Sequence, residues 1–423
     1  MEKSRFFSPF SALPLVWKRV ITLGLMYAGQ GLPAGLAFNA YATILRERGV
    51  SLHTIGWSGL TFLPWALKFL WAGLTDNAGK RYGYGALILQ TQILAILSCL
   101  VLAFFPPEQS FVFSLAGIIL LNTVFATQDI LTNAAAVSHL QGRNAGLANG
   151  IQVVAFLLGM LAGGGGSLLV YARIGWAGTL CAMAAALFLL CLILLPLRKY
   201  VEPDTSRITR PSRLKDFFHQ KGFGWALASS LTFKFAGAAL LALLQPFLID
   251  QHVSVETIGT LQISNLLCGA LGGAVLGTLA VKKSGSSKAV TLLAIPSALL
   301  LGAVWVLQIT HTLSAPTLYL ALGTESFFDG AFYVALWSLL MNWSSAERPG
   351  LDYSFLQCGE SVANVFAASA IMPLASSAGY SQAFLVVWLC GLVLLAPLLL
   401  AARRLSPLCC DSTSTAQPLP IIL

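Results

Sequence analysis

Apolar residues run through this chain in blocks too long for strands or for the amphipathic helices of a soluble domain, and the polar residues fall between the blocks. Each block approaches the roughly 20 residues that a helix needs to cross the hydrocarbon of a bilayer. The runs lie near residues 20–45, 55–74, 84–105, 110–137, 146–171, 175–197, 225–248, 257–281, 289–310, 316–341, 354–373 and 380–402, which predicts twelve membrane-spanning helices. The first twenty residues are basic, but no small-residue cleavage site follows a short apolar core. The first run is therefore expected to be a retained helix and not a signal peptide.

A short segment occurs twice. Val50-Ser51-Leu52-His53-Thr54-Ile55-Gly56 returns as Val253-Ser254-Val255-Glu256-Thr257-Ile258-Gly259, an offset of 253 − 50 = 203 residues. Each copy stands at the start of the second helix of a six-helix set, so the chain reads as an internal duplication. The expected organisation is a six-helix half over residues 1–197, a basic linker over 198–224, a second six-helix half over 225–406 and a tail over 407–423. The fold class predicted is an all-α membrane protein with twelve transmembrane helices in two parallel halves.

Composition agrees with that solvent: 57% of residues are hydrophobic, 10% are charged, and mean hydropathy is +0.78. Charge then orients the chain. With both termini placed in the cytoplasm, 20 of the 25 Lys and Arg residues fall on cytoplasmic segments, and only Arg46, Arg48 and Arg173 lie on the other side. That asymmetry is the positive-inside signal. It accounts for the net charge of +9 as orientation and attraction to anionic lipid, without a nucleic-acid partner. The cysteines have neither zinc-site nor disulfide spacing. Cys358 is expected in the first turn of the eleventh span, and Cys409 with Cys410 in an inert tail.

Ionisable residues inside the spans are costly and so mark cavities or partners. Lys68 lies about two turns inside the second span. In the fourth span Asn122, Asp129 and Asn133 share a face, and Asp129 is a candidate partner for Lys68. Shifting Asn122 and Ala126 by 203 reaches Glu325 and Asp329 in the tenth span, one turn apart. Lys234 in the seventh span has Glu325, Asp329 and Glu360 as possible partners, which leaves acids uncompensated. A carboxyl unpaired in low dielectric readily carries a proton, as proton coupling requires. Glu360 is expected about six residues from the end of its span. Tyr27, Gln30, Asn39, Asn122, Gln128 and Asn133 are the candidate cavity-lining residues. The run Gly163-Gly164-Gly165-Gly166 reads as helix packing. Asp76, Gly79, Lys80 and Arg81 read as a gate, in which a carboxylate beside a short basic turn bridges helix ends and Gly79 permits a positive φ.

Those gate residues resemble the Asp-Arg-x-Gly-Arg-Arg/Lys loop of major facilitator transporters, with Asn77 where that family usually has Arg. The match narrows through Pro64-Trp65-Ala66-Leu67-Lys68-Phe69-Leu70-Trp71-Ala72, Ala126-Thr127-Gln128-Asp129-Ile130, Gly31-Leu32-Pro33 and Asp352-Tyr353-Ser354-Phe355-Leu356-Gln357, which look like signatures of the AmpG-like permeases. Gly73, Asn133 and His139 depart from that pattern, where Pro, an acid and Glu are common. Within the AmpG-like family the twelve-span length is similar to the siderophore branch of the RhtX/FptX type. The resemblance implies a monomeric secondary transporter of a bacterial inner membrane, importing a siderophore or its iron or zinc chelate, of yersiniabactin-like chemistry, by proton-coupled alternating access. A muropeptide or another organic solute is the alternative cargo. A membrane-bound sensor that keeps a transporter fold is the alternative class. No nucleophile, base and orienting group occur together, so no enzyme and no cofactor is expected. The five histidines are scattered, no metal site is expected, and a metal would travel inside a chelator.

A fluorescent-protein or phosphatase fusion within residues 198–221 is expected to report cytoplasm, and one between Asp250 and Glu256 the opposite side. The reverse pattern would overturn the orientation derived from the charges.

Overall fold

The computed structural model describes residues 13–203 and 210–409. Lys3, Arg5 and Arg207 of the charge pattern, and the tail from Cys410 onward, lie outside the described residues. Helix follows helix with short connections. The principal helices are α1 (Leu15–Gly35), α2 (Phe69–Tyr82), α3 (Tyr84–Leu102), α4 (Phe111–Leu140), α5 (Ala145–Leu161), α6 (Ser167–Leu197), α7 (Phe223–Thr232), α8 (Phe235–Asp250), α9 (Val255–Leu271), α10 (Ser286–Leu300), α11 (Ala315–Trp343), α12 (Pro349–Ala378) and α13 (Tyr380–Leu405). Among the described residues nine helical stretches are long and apolar enough to cross a membrane, and one of them, Gly142–Tyr200, holds two spans broken at Gly175. The helical segments within 52–82, together with α11, complete the twelve.

The repeat seen in seven residues of sequence is also written in the backbone. Ser51 and Ser254 each cap a helix by accepting from the backbone N–H three residues on, Thr54 and Thr257, at 3.2 Å in both copies. Just before each cap the chain reverses through a positive φ, 76° at Gly49 and 58° at His252. The flanking bonds correspond as well: Val50 donates to Leu45 O at 3.1 Å, and Val253 to Leu248 O at 3.0 Å. Sequence alone hides this because one copy uses glycine and the other histidine for the same left-handed residue.

Two expectations change. Residues 76–81 do not form a tight turn: α2 remains helical to Tyr82, and the reversal falls on Gly83 at φ 91°. Gly79 is thus not the hinge residue. Its missing Cβ makes room for the Tyr84 ring, whose Cδ1 would stand 2.5 Å from a Cβ there. The eleventh span starts early, at Pro349, whose fixed φ suits a first helical position. Cys358 and Glu360 accordingly sit in its third and fourth turns, deeper than expected.

Contacts gather the described residues into two compact units. The first draws on Met1–His139, Ile151–Phe217 and Ala346–Ser361, and the second on Leu140–Gly150, Phe218–Ser345 and Val362–Leu423. The first turns of α12 therefore belong to the first unit. Each unit has a lipophilic core, around Tyr41, Phe125, Trp176 and Leu180 in the first and around Leu243, Phe247 and Phe384 in the second.

Glycine supplies the close helix contacts that lipid cannot drive by hydrophobicity. A Cβ on Gly163 would lie 1.7 Å from Leu32 O, and one on Gly35 2.3 Å from Met160 O. In the second unit a Cβ on Gly272 would meet Phe327 O at 1.9 Å, and one on Gly330 would meet Gly269 O at 2.0 Å. The run of four glycines therefore packs helices, but not uniformly, since Gly165 has open space around it. Gly163→Ala is expected to destabilise the purified protein by about 1–3 kcal/mol through overpacking, read as a lowered melting temperature in detergent. Gly165→Ala is expected to leave that temperature unchanged or slightly raised, and equal effects of the two would refute the packing account.

Candidate functional site

In the first unit a buried cation organises the polar side chains. Lys68 stands where the helical path is interrupted, between the short helix Leu63–Leu67 and α2, and only 3% of it is exposed. Its ammonium pairs with the Asp129 carboxylate from α4 and donates to Gln357 Oε1 from α12 at 2.6 Å. Asn133, one turn beyond Asp129, donates to the same carboxylate at 2.8 Å and to Gln357 Oε1 at 2.9 Å. Tyr27 of α1 donates to Asn133 Oδ1 at 2.9 Å.

Burial explains why so many groups converge. An unpaired ammonium in low dielectric is prohibitively costly, and a buried pair holds only when the remaining lone pairs and protons are also satisfied. The Trp65 ring lies 5.6 Å from Lys68 Nζ and adds a cation–π contact, while its indole N–H donates to Asn122 Oδ1 at 2.9 Å. One lysine, one acid, three amides, a phenol and an indole thus form one network.

Other candidates lie apart from it. Gln128 faces α3 and α1, accepting from Thr91 at 3.2 Å and approaching Met26 O at 3.4 Å. Gln30 donates to Thr132 at 2.8 Å. Asn39 is exposed on a π-helical turn over Leu36–Ala40. Gln357 and Trp65 were not among the candidate site residues. Neither carries charge, and only the recurring motifs in which they stand hinted at a role.

The second unit holds a more open centre. Lys234 occupies the break between α7 and α8 and donates to Asp329 Oδ2 at 2.6 Å, with side-chain exposures of 21% and 20%. The Phe233 and Tyr333 rings flank the ammonium at 5.9 and 5.6 Å. Glu325, one turn from Asp329 on α11, is buried and accepts from the Ser326 hydroxyl at 3.3 Å. A small cavity lined by Thr232, Phe233, Ser297, Leu301 and Phe332 reaches Asp329. Glu360 is half-buried on α12 in the first unit.

The expected gate residues divide. Asp76 is fully buried, and Lys80 approaches its Oδ2 at 3.4 Å. Asp76 Oδ1 lies against Gly350, in the first turn of α12, where a Cβ would come within 3.1 Å of it. Arg81 points outward with its guanidinium 5.1 Å from the Tyr82 ring, so it stands outside this cluster.

Twelve spans in a duplicated six-helix plan, with an ion pair inside the spans of each compact unit, define a polytopic secondary transporter and not an enzyme. The Major Facilitator Superfamily model matches residues 23–326, and the chain belongs to that family. It is similar to the anhydromuropeptide permease of Escherichia coli (strain K12), 26% identical over 355 residues that cover 80% of this chain and 70% of the relative. It is also similar to putative transporter AmpG 4 of Rickettsia conorii, 23% identical over 82% of this chain and 86% of that one. Among solved structures it shares its fold with the proton:xylose symporter XylE bound to 6-bromo-6-deoxy-D-glucose, at a TM-score of 0.67 and 12% identity over 90% of this chain and 94% of that one.

Removing either charge of the Lys68–Asp129 pair alone is expected to cost about 3–5 kcal/mol by stranding its partner, seen as lost expression or a lowered melting temperature. Lys68→Met combined with Asp129→Leu is expected to recover expression. Damage that simply adds in the double variant would show that the two groups do not interact.

Proposed function

We propose that this chain is a proton-coupled importer of the bacterial inner membrane, a monomer with both termini in the cytoplasm, that carries a siderophore or its iron or zinc chelate by alternating access. The observation that carries the reading is the buried Lys68 network. An ammonium already shared between a carboxylate and an amide oxygen is suited to exchange one of those partners for an oxygen-rich, anionic cargo. Aromatic faces and amides around it, from Trp65, Tyr27, Asn122 and Asn133, match a ring- and amide-bearing solute. A proton arriving on Asp129 would loosen its hold on Lys68 and so link cargo binding to protonation.

Coupling itself we assign to Glu325 or Asp329, with Lys234 tuning whichever acid it faces. Two acids one turn apart share a single lysine, so only one of them is compensated at a time. Asp76 and Lys80 serve as the gate, with Gly79 allowing the close approach of Tyr84. In this scheme Gln128, Gln30 and Asn39 shape the cavity wall indirectly, and Glu360 is a reserve acid.

A second reading keeps the mechanism and changes the cargo. The similarity to the E. coli anhydromuropeptide permease favours a muropeptide or another organic solute of that size.

Uptake of a radiolabelled iron or zinc siderophore chelate into right-side-out vesicles is expected to rise with an inward proton gradient and to collapse with a protonophore. Glu325→Gln or Asp329→Asn is expected to abolish gradient-driven accumulation while exchange of cargo across the membrane continues, since exchange moves no net proton. Accumulation of labelled anhydromuropeptide in place of chelate would select the second reading. Both amide variants still concentrating cargo would refute the coupling assignment.

A further inference from the structure

The link between the six-helix sets touches the gate itself. Ser212 lies in that link, only 5% exposed, between the described residue Arg210 and the short helix Leu214–Phe218. Its hydroxyl donates to Asp76 Oδ2 at 2.6 Å and accepts from Lys80 Nζ at 2.6 Å. Lys80 also donates to the backbone carbonyl of Glu347, and the Ser212 hydroxyl lies 3.4 Å from that same oxygen. One hydroxyl therefore sits among the acid and the base of α2 and the backbone leading into α12.

Asn77 holds the same residue by its main chain. Ser212 N–H donates to Asn77 Oδ1 at 2.6 Å, and Asn77 Nδ2 donates to Ser212 O at 3.0 Å. This two-point grip needs a side chain with both a donor and an acceptor. An amide supplies both, whereas a guanidinium has no acceptor and a carboxylate no donor. Gly73, one turn back on α2, leaves the approach open, since even a Cβ there would stand 3.5 Å from Ser212 O.

The upstream end of the link is held on the adjoining helix start. Gly85, Ala86 and Tyr84 at the N-terminus of α3 offer backbone N–H groups to the Glu202 carboxylate, whose backbone carbonyl meets His139 Nε2 at 2.8 Å. Burial pushes the Glu202 carboxyl above its ordinary range, while those N–H groups and Arg198 draw it back. Gly83 and Gly85 are required by this contact, because a Cβ at either would come within 2.4 and 2.8 Å of the carboxylate oxygens. The link is thus fastened to the α2–α3 corner on both sides of residues 204–209.

We propose that Ser212 is a positioning residue of the gate, a linker latch that α2 grips through Asn77, Asp76 and Lys80 and must release before the start of α12 parts from α2. A simple tether would hold the link alone; the shared hydroxyl ties the link to the α2–α12 contact. The inference rests on the gate reading of Asp76 given above. Its readout uses no cargo, so failure of the cargo assignment leaves it standing.

The test is hydrogen–deuterium exchange on the full-length protein in lipid nanodiscs without cargo, comparing wild type, Ser212→Ala and Asn77→Ala. Ser212→Ala removes the hydroxyl, and Asn77→Ala removes the grip on the main chain without touching α12. Both are expected to speed exchange over residues 349–356 about tenfold, the effect of losing a hydrogen bond to a charged group in Ser212→Ala and two neutral ones in Asn77→Ala. Residues 255–271 in the second unit are expected to keep the wild-type rate. Exchange over 349–356 unchanged in both variants would reduce Ser212 to a tether and overturn the proposal. Acceleration throughout the chain would equally overturn it, by showing that the residue holds the fold.

Discussion

A lysine buried to 97% in a chain whose surroundings are mostly lipid is the constraint on which the rest of the first unit depends. Lys68 cannot be left without an anion, so α4 must present Asp129 to it. Asp129 cannot be left with one partner, so Asn133 turns its amide toward the carboxylate. That amide and the ammonium leave Gln357 as their common acceptor, which fixes the rotation of α12 over its first turns. Tyr27 then closes the remaining acceptor on Asn133 and fixes α1. Each requirement follows from the cost of an unsatisfied buried polar group, and together they align four helices that glycine packing alone would leave free to slide.

Most of the fold was legible because the bilayer restricts the choices. Backbone groups in hydrocarbon must be satisfied within the span, so an apolar run of sufficient length can only be a helix there. The duplication was legible through Ser51 and Ser254, since a capping serine followed by threonine three residues on leaves a recognisable pattern. What escaped was local geometry. The reversal after α2 was assigned to Gly79 because it lies among charged residues, whereas packing against Tyr84 keeps that glycine helical and moves the turn to Gly83. The early start of α12 escaped because residues 349–353 are too polar to extend an apolar run.

The candidate site was legible where it is charged and obscure where it is neutral. Lys68 and Asp129 stand out in any apolar sequence. Gln357 does not, because a glutamine near a helix end costs little and has many uses. Ser212 is harder still: a serine in a basic link gives no sign that it will be buried, and only the placement of Asn77 opposite it makes the position interpretable. Long-range hydrogen bonds of neutral groups depend on tertiary approach, which periodicity and composition do not encode.

Exposure separates the two charged centres. Asp329 forms part of a cavity wall and is a fifth exposed beside Lys234. Asp129 is closed in by Lys68, Asn133 and the first turns of α12 in this conformation. Reaching Asp129 from solvent therefore requires α12 to withdraw Gln357, whereas Asp329 is already open. In the proposed mechanism cargo chemistry at Lys68 and proton uptake at Asp329 are then separable steps, and a helix interrupted at each lysine gives each centre a point about which its segments can bend without breaking the packed glycine contacts.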